Sequence, residues 1–429
     1  MSQKIAILGY GVEGQSAYRY YAARGDDVTV YHKERPADLP ADAKVVEDAH
    51  ATELTGFDVV VRSPAVPPRS LHSDGRITTI TNEFFSIYGP ARIIGVTGSK
   101  GKGTMSALIH AMLEAAGMRV HLAGNIGVPV LDLLPDLKDG DYVVLEISSF
   151  QLWDLETSPH IAVVGMITPD HLDVHEGFDD YVSAKANIAR HQKPEDVIIY
   201  HPTNDHSKWI ADQSPAETKL RYATSEGAHI EGDAIVVAEQ RICKISDVQI
   251  PGKHNLENIC AALTAAWRIT QDVEALGRAI REYKGLEHRI EFVRNVDGVD
   301  YYDDSFAAST SAAVVAAQAF EAPKVIILGG FDRGVDLEPM VAELAKTNLR
   351  KVLLIGQTAP KLQHLFEAAG KGALTEQLGN VSMTDIAKHA SEVAQKGDVV
   401  VLSPGSASFD MFKDYKDRGN QFKEAVKAL

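Results

Sequence analysis

The sequence predicts an α/β protein of three consecutive units, each built on a mainly parallel, doubly wound sheet. Three observations carry that prediction. Short apolar runs ending in glycine turns alternate with stretches of helical periodicity. The alternation restarts twice, so the expected units are residues 1–90, 91–285 and 286–429. Hydrophobic residues make up 45% of the 429 and charged residues 24%, which supplies a core for each unit and leaves no bias toward disorder.

The first unit opens with "KIAILGYGVEGQSAYRYYAARGDDVTVYHKE", which reads as strand, glycine turn, helix and second strand. Gly9, Gly11 and Gly14 have the spacing of a diphosphate-binding turn. A nicotinamide-binding unit would place Asp or Glu at the end of its second strand to hold a ribose hydroxyl. Here that strand ends "VTVYHKE" and the next acid, Glu34, falls past the strand end, which weakens a redox reading. "DVVVRSP" reads as a further strand, and the unit ends near Pro90.

The second unit begins with the strand "RIIGVTG", continuous with the loop "GVTGSKGKGT" and the helical "MSALIHAMLEAAG". The loop departs from the strict G-x-x-x-x-G-K-[ST] pattern, because five residues separate Gly95 from Gly101 and Gly103 follows Lys102. Its physics suits a polyphosphate all the same. Glycines let backbone N–H groups converge on phosphate oxygens, the helix offers its positive end, Lys102 adds a charge and Thr104 can assist a metal. A simple turn before a helix is the plainer alternative.

"LEISSFQL" sets Glu146 at the carboxyl end of an apolar strand, where a carboxylate can hold Mg²⁺ or merely cap a turn. "TPDHLDVHEGFDDYVSAKANI" clusters Asp170, His171, Asp173 and His175 before a helix carrying Lys185. Spacing alone leaves His171 open as a metal ligand or an ordinary satisfied histidine. Strands follow at "IAVVGMIT" and "DVIIYHP", then a small antiparallel excursion over residues 223–251, the helix "HNLENICAALTAAWRI" and a hinge in "YKGLEHRIEFV". The third unit repeats the alternation with "KVIILGG", "KVLLIGQ" and "DVVVLSPG".

Composition excludes several classes of partner. A formal net charge of −16 makes nucleic acid and anionic membrane surfaces poor partners, so anionic ligands need local positive charge. The two cysteines, Cys243 and Cys260, suggest no disulfide framework and a reducing, cytoplasmic setting. The N-terminal apolar run is too short for an export signal, and no run approaches the ~18 apolar residues of a membrane span.

Taken in order, "TGSKGKGT", "GNIGVP", "LEISSFQLW", "TPDHLDVH", "YVSAKANI", "PGKHNLENICAA", "GLEHRIE" and "DDS" resemble the motif series of the Mur ligases, ATP-dependent amide-forming enzymes of peptidoglycan synthesis. The resemblance covers most of the chain from Gly95 onward. "LSPGSASFDMFKDYKDRGNQF" and "DDSFAAS" are similar to the branch that adds D-glutamate to UDP-N-acetylmuramoyl-L-alanine (UDP-MurNAc-L-Ala). The D-N-P-R and D-D-Y-x-H-H-P runs of sibling branches are absent from the sequence.

The resemblance implies a Rossmann-like N-terminal domain for the uridine nucleotide, a central P-loop ATPase domain, and a Rossmann-like C-terminal domain. It implies ATP contacts at Gly98, Ser99, Lys100, Gly101, Lys102, Gly103, Thr104, Asn255, Asn258, Arg289 and Asp304. Arg289 would meet the γ-phosphate and Asp304 the ribose. Mg²⁺, or Mn²⁺ in its place, would occupy two sites, one at Glu146 with Thr104 and one at His171 with a carbamylated Lys185. The UDP-substrate would lie against Gly11, Val12, Glu13, Asn125 and His171, with His32 or Lys33 near the nucleoside. Lys102, Glu146, His171, Lys185 and Arg289 make up the implied catalytic set.

Arg333, Ser408, Phe409 and Tyr415 would face the amino acid. Departures concentrate there, with Phe306 where the family often has Lys, Ala308 where Thr is usual, and Arg333 in place of a lysine. The implied partners are small molecules only, the implied location is the cytoplasm, and the implied state is a monomer.

Two relatives of the idea fit less well. Folylpolyglutamate synthase shares the ATPase architecture but lacks the N-terminal nucleotide domain, and a non-catalytic regulator would not be expected to keep Lys102, Glu146 and Lys185 together.

Overall fold

The computed structural model describes residues 2–48, 52–172 and 174–429, and Asp173 of the acid and histidine cluster lies outside them. Two compact units emerge, Met1–Asp247 with Leu256–Arg281 and Val248–Asn255 with Glu282–Leu429. The fold is α/β with mostly parallel sheets, as the alternation in the sequence predicts.

In the first unit a five-stranded parallel sheet comes first in the chain, in the order Lys44–Glu47, Asp27–His32, Lys4–Leu8, Val59–Arg62, Arg76–Thr78. The strands Lys4–Leu8 and Val59–Arg62 are near-continuous apolar runs because both faces of a parallel sheet are covered. The three glycines after the first strand have separate jobs. Gly9 takes φ +85°, a conformation costly for any side chain, and turns the chain. A Cβ on Gly14 would stand 2.0 Å from the Gly9 carbonyl oxygen, so only glycine lets the helix Val12–Ala23 pack that closely on the strand. Gly11 faces open space.

The same unit carries a six-stranded parallel sheet in the order Thr218–Arg221, Val197–Tyr200, Ile161–Val164, Ile93–Thr97, Tyr142–Glu146, Val120–Gly124. The chain reverses direction across the sheet at Ile93–Thr97, the switch point where open α/β sheets bind ligands at the carboxyl ends of their strands. The excursion over residues 223–251 forms three antiparallel strands, His229–Glu231, Ala234–Val237 and Gln240–Lys244. One buried cluster runs from Ile5 and Ile7 of the first sheet through Phe84 and Phe85 to Val143, Val164 and Ile198 of the second. The helix Ile80–Tyr88 is therefore the seam that fixes one parallel sheet against the other.

The second unit is a six-stranded sheet in the order Glu291–Val296, Val299–Asp303, Val399–Leu402, Lys324–Gly329, Leu349–Ile355, Thr375–Gly379. Only the first pair is antiparallel, joined through Asp297 at φ 51° and Gly298 at φ +85°, the paired left-handed turn that suits a tight hairpin. Separate apolar cores cover its two faces. Among the described residues no helix is long and apolar enough to cross a membrane. Cys243 and Cys260 are both buried and free.

Candidate active site

Strand register brings the central residues together. Glu146 pairs with Val96 on one side and Gly124 on the other, and Thr97 pairs with Val164. The phosphate-loop candidate, Glu146 and Asn125 thus leave the carboxyl edge of the sheet at one level. Gly101 caps the helix Lys102–Ala115 at φ +82°, and a Cβ there would stand 2.3 Å from Oδ1 of Asn258. Gly98, at φ +155°, runs 3.3 Å from the Gly165 backbone by the same measure. These glycines are where the loop must turn sharply against its neighbours, the geometry a phosphate cradle needs.

The Lys102 ammonium donates to the carbonyls of Gly98 (3.0 Å) and Ser99 (3.1 Å), lying over its own loop. Ser99 is buried; its hydroxyl donates to the Thr168 carbonyl (2.7 Å) and lies 2.8 Å from the Tyr181 hydroxyl. Lys100 is exposed, while Gly103 and Thr104 are buried in the first helical turn.

Lys185 is the most unusual group. It projects from the helix Phe178–Arg190 into the floor of the loop, only 1% exposed, and donates to Thr97 Oγ1 (3.2 Å) and the Gly98 carbonyl (3.0 Å). Its amine sits 4.7 Å from the centre of the Tyr181 ring. Burial, reinforced by the charge of Lys102, drives its pKa well below the usual lysine value, against the pull of Asp170 and Glu146. Burial thus disfavours the charged form of this amine.

Glu146 is 4% exposed and accepts from Nδ2 of Asn125 at 3.0 Å, an orienting contact of the kind that fixes metal-binding carboxylates. A Cβ on Gly124 would stand 2.3 Å from the Glu146 carbonyl oxygen, so "GNIG" presses directly on this strand end. Glu146 and the Thr104 hydroxyl offer hard oxygen donors of the kind that fit Mg²⁺ or Mn²⁺.

The two histidines of the cluster part company. His171 has φ 54° and a half-exposed side chain, with its ring 4.9 Å from Phe150 and its Nε2 3.8 Å from Asp170. His175 is fully enclosed, with Nδ1 2.8 Å from Asp180, Nε2 3.0 Å from Ser149 Oγ, and its ring stacked on Phe150. His171 is thus half open to solvent, whereas His175 is held on both ring nitrogens.

The glycine turn of the first sheet forms a second locus in this unit. His32 ends its strand and accepts from the Tyr10 N–H at 3.4 Å, while Lys33 is exposed beside Glu34. Val12 is 68% exposed at the turn. Sequence reasoning gave no role to two residues behind it. Arg62 is fully buried and grips Asp154 with both arms of its guanidinium (2.6 and 3.0 Å) while donating to the carbonyls of Val66 and Phe150. Gln151 closes a capping box with Ser148 and donates to Glu13 at 2.5 Å. The Ser-x-x-Gln spacing was the visible signal for that cap.

In the second unit, Arg289 sits between two non-glycine residues with left-handed backbone, His288 (φ 62°) and Ile290 (φ 45°). Such strain persists only where neighbours enforce it. Glu291 accepts the His288 N–H (2.8 Å), Asp304 accepts that of Ile290 (3.2 Å), and the His288 ring bonds Asp303 at 2.7 Å. The Arg289 guanidinium stacks 5.0 Å over Phe306, so the phenylalanine standing where lysine is frequent braces the arginine.

Asp304 is 4% exposed, accepts from Ser403 Oγ (2.6 Å), and burial raises its pKa to about 7. Arg418, 1% exposed, ties Ser305 Oγ, the Ser305 carbonyl and the Ser406 carbonyl together. At the carboxyl ends of the strands, Arg333 lies over the exposed Phe409 ring, the neighbouring Ser408 is buried, and Tyr415 meets Phe306 edge-on. Asn255 turns its amide onto the Pro251 carbonyl (2.6 Å).

Residues 96–266 match the Mur ligase middle domain, and residues 288–405 the Mur ligase glutamate ligase domain. The chain is 37% identical to the UDP-N-acetylmuramoylalanine--D-glutamate ligase of Acetivibrio thermocellus, covering 100% of this chain and 97% of that protein. Among solved structures, MurF from Acinetobacter baumannii superposes with a TM-score of 0.64 at 17% identity, over 99% of this chain and 90% of that one. MurF from Thermotoga maritima in complex with ADP gives 0.62 at 17% identity, over 100% and 95%. At those identities the two structures speak for the fold alone.

Proposed function

The chain belongs to the Mur ligases, a family of ATP-dependent enzymes, and from that premise we propose that it joins D-glutamate to UDP-MurNAc-L-Ala in peptidoglycan precursor synthesis. The observation that carries the proposal is the gathering of the Lys102 loop, Glu146 and the buried Lys185 at one edge of the central sheet. A free carboxylate does not acylate an amine. Transfer of the terminal phosphoryl group of ATP to the UDP-MurNAc-L-Ala carboxylate makes an acyl phosphate, which the amine of D-glutamate attacks to give the amide and phosphate.

This chain's own groups position and neutralise. The N–H groups of residues 98–104 cradle phosphates at a helix N-terminus and Lys102 leaves its loop carbonyls to pair with them. Glu146 and Thr104 would hold one Mg²⁺, and His171 with a carbamylated Lys185 would hold a second, Mn²⁺ being an alternative. The metal supplies charge neutralisation on the phosphate oxygens. Asn258 beside Gly101, with Asn255, serves the adenine. Arg289, braced by Phe306, serves the γ-phosphate, and Asp304, which already holds the Arg289 loop, the ribose.

The turn at Gly11, Val12 and Glu13, with His32 or Lys33, takes the uridine diphosphate, and Asn125 the end that reacts. Arg333 clamps a glutamate carboxylate with Ser408, Phe409 and Tyr415 around it. We further propose a cytoplasmic monomer.

The test is phosphate release from ATP in the presence of UDP-MurNAc-L-Ala, with D-Glu, L-Glu, D-Asp and meso-diaminopimelate compared. Turnover should require D-Glu. Equal or better turnover with another amino acid removes the acceptor assignment, and no ATP consumption with any of them removes the reaction.

A further inference from the structure

Glu13 occupies an odd place for an acid. It follows the glycine turn on the first turn of the helix Val12–Ala23, where the helix dipole would welcome an exposed carboxylate. Its carboxyl is instead turned inward against Ser149–Leu152. Oε1 accepts from Gln151 Nε2 at 2.5 Å, and Oε2 is buried with no hydrogen-bond partner.

The Gln151 amide cannot rotate to help, because its own oxygen is engaged by the Ser148 N–H (2.9 Å) and hydroxyl (3.1 Å). Nor is Arg62, the cation facing Glu13, available to pair with it. Its guanidinium is committed to Asp154 and to the carbonyls of Ser63, Val66 and Phe150. His32, which accepts from the Tyr10 N–H, and Lys33, beside Glu34, are ionisable groups at the end of the neighbouring strand. Burial, opposed by Gln151 and Arg62, raises the Glu13 pKa to about 7.

We propose that Glu13 is the proton-uptake residue of the UDP-substrate site: its enclosed carboxyl takes a proton onto the unpartnered Oε2 when an anionic diphosphate settles at the glycine turn. This rests on the reading of that turn as the diphosphate site. The proton comes from solvent, and no other bond changes. The reason is electrostatic. A carboxylate on the same helical turn as a diphosphate repels it in a setting where water screens little, so the ligand binds best to the neutral acid and holds it neutral. By linkage, affinity is full where the acid is already protonated and falls as pH rises through about 7, the proton then having to be supplied at each binding event.

The experiment is calorimetric binding of UDP-MurNAc-L-Ala to the full chain at pH 7.5 in two buffers of different ionisation enthalpy. Neither phosphate of that ligand titrates near this pH, so the buffer difference reads protons taken up by protein. An uptake of about half a proton per site is expected in the unaltered protein, largest near that pH and declining as the binding is repeated at lower and at higher pH. Glu13→Gln, which keeps size and hydrogen bonding, should bind with uptake abolished and with an affinity that no longer weakens above pH 7.

Binding without net uptake in the unaltered protein overturns the proposal whether or not the variant folds. Uptake that persists in Glu13→Gln overturns it too and passes the role to another group. Absence of any binding overturns the diphosphate site itself, a different failure from binding without protons.

Discussion

Replacing Lys185 separates its structural from its chemical role. The side chain is 1% exposed and makes two hydrogen bonds, to Thr97 Oγ1 and the Gly98 carbonyl. Lys185→Ala deletes three methylenes and the amine from a packed floor. At about 0.8 kcal/mol per buried methylene plus a cavity term, the apolar loss is about 2–3 kcal/mol. Part of that is returned, because the amine no longer has to be held out of water. Lys185→Met fills the same space without an amine, so its stability should match or exceed that of the unaltered protein.

Activity should not follow stability. If the amine becomes a carbamate that holds a cation, both variants lose a ligand, and phosphate release with saturating substrates should drop at least about 100-fold, or about 2.7 kcal/mol of transition-state stabilisation. Only the alanine variant leaves a hole, so only it should recover activity with added short carboxylates such as acetate or propionate. Thermal unfolding and phosphate release on the three proteins decide the matter. A methionine variant turning over at the unaltered rate refutes the metal-ligand reasoning, and equal rescue of both variants refutes the location.

Asp304→Asn should flatten part of the pH dependence of stability. The folded acid titrates near 7 and the unfolded one near 3.8, so between those values the folded state binds more protons and stability falls as pH rises; denaturant melts at pH 5 and 7.5 should converge in the variant. Gly14→Ala forces a Cβ to 2.0 Å from the Gly9 carbonyl oxygen, which should cost about 1–3 kcal/mol and weaken UDP-substrate binding while leaving ATP binding intact by calorimetry. Arg418→Met strands Ser305 and Ser406 acceptors in a dry interior and should lower stability by about 3 kcal/mol in urea melts; a loss under 1 kcal/mol would mean that water replaces the guanidinium.

The elements easiest to see in the sequence are those buried on both faces. "DVVVRSP" and "DVVVLSPG" become Val59–Arg62 and Val399–Leu402 because a covered parallel strand needs an unbroken apolar run. Edge strands escape the same logic. Lys44–Glu47 and Thr375–Gly379 are half solvated at the margins of their sheets and carry no such run. The hairpin at Asp297–Gly298 goes unread and the segment before it reads as a hinge, because "GLEHRIEFV" mixes charge and apolar residues without clear alternation. At the site, the phosphate loop and Glu146 announce themselves by position after strands. The difference between His171 and His175 does not, since Phe150 arrives from another segment against both rings while Ser149 and Asp180 bond only the second.

The residues with no motif behind them set how the first unit holds its two loci. Arg62 ends a strand of the first sheet, and its carboxylate partner Asp154 and acceptor Phe150 belong to the segment that leaves Glu146. Glu13 reaches that segment from the glycine turn through Gln151. The turn and the strand end carrying Glu146 are thereby joined by two short polar links, one fully charged and geometrically fixed, the other dependent on a proton. A rigid link alone would hold the sheets and be indifferent to what binds. Were a diphosphate to bind at the turn, the second link is the one whose energy would change with the charge there, so a coupling to "LEISSFQL" would run through Glu13 and Gln151 and not through Arg62.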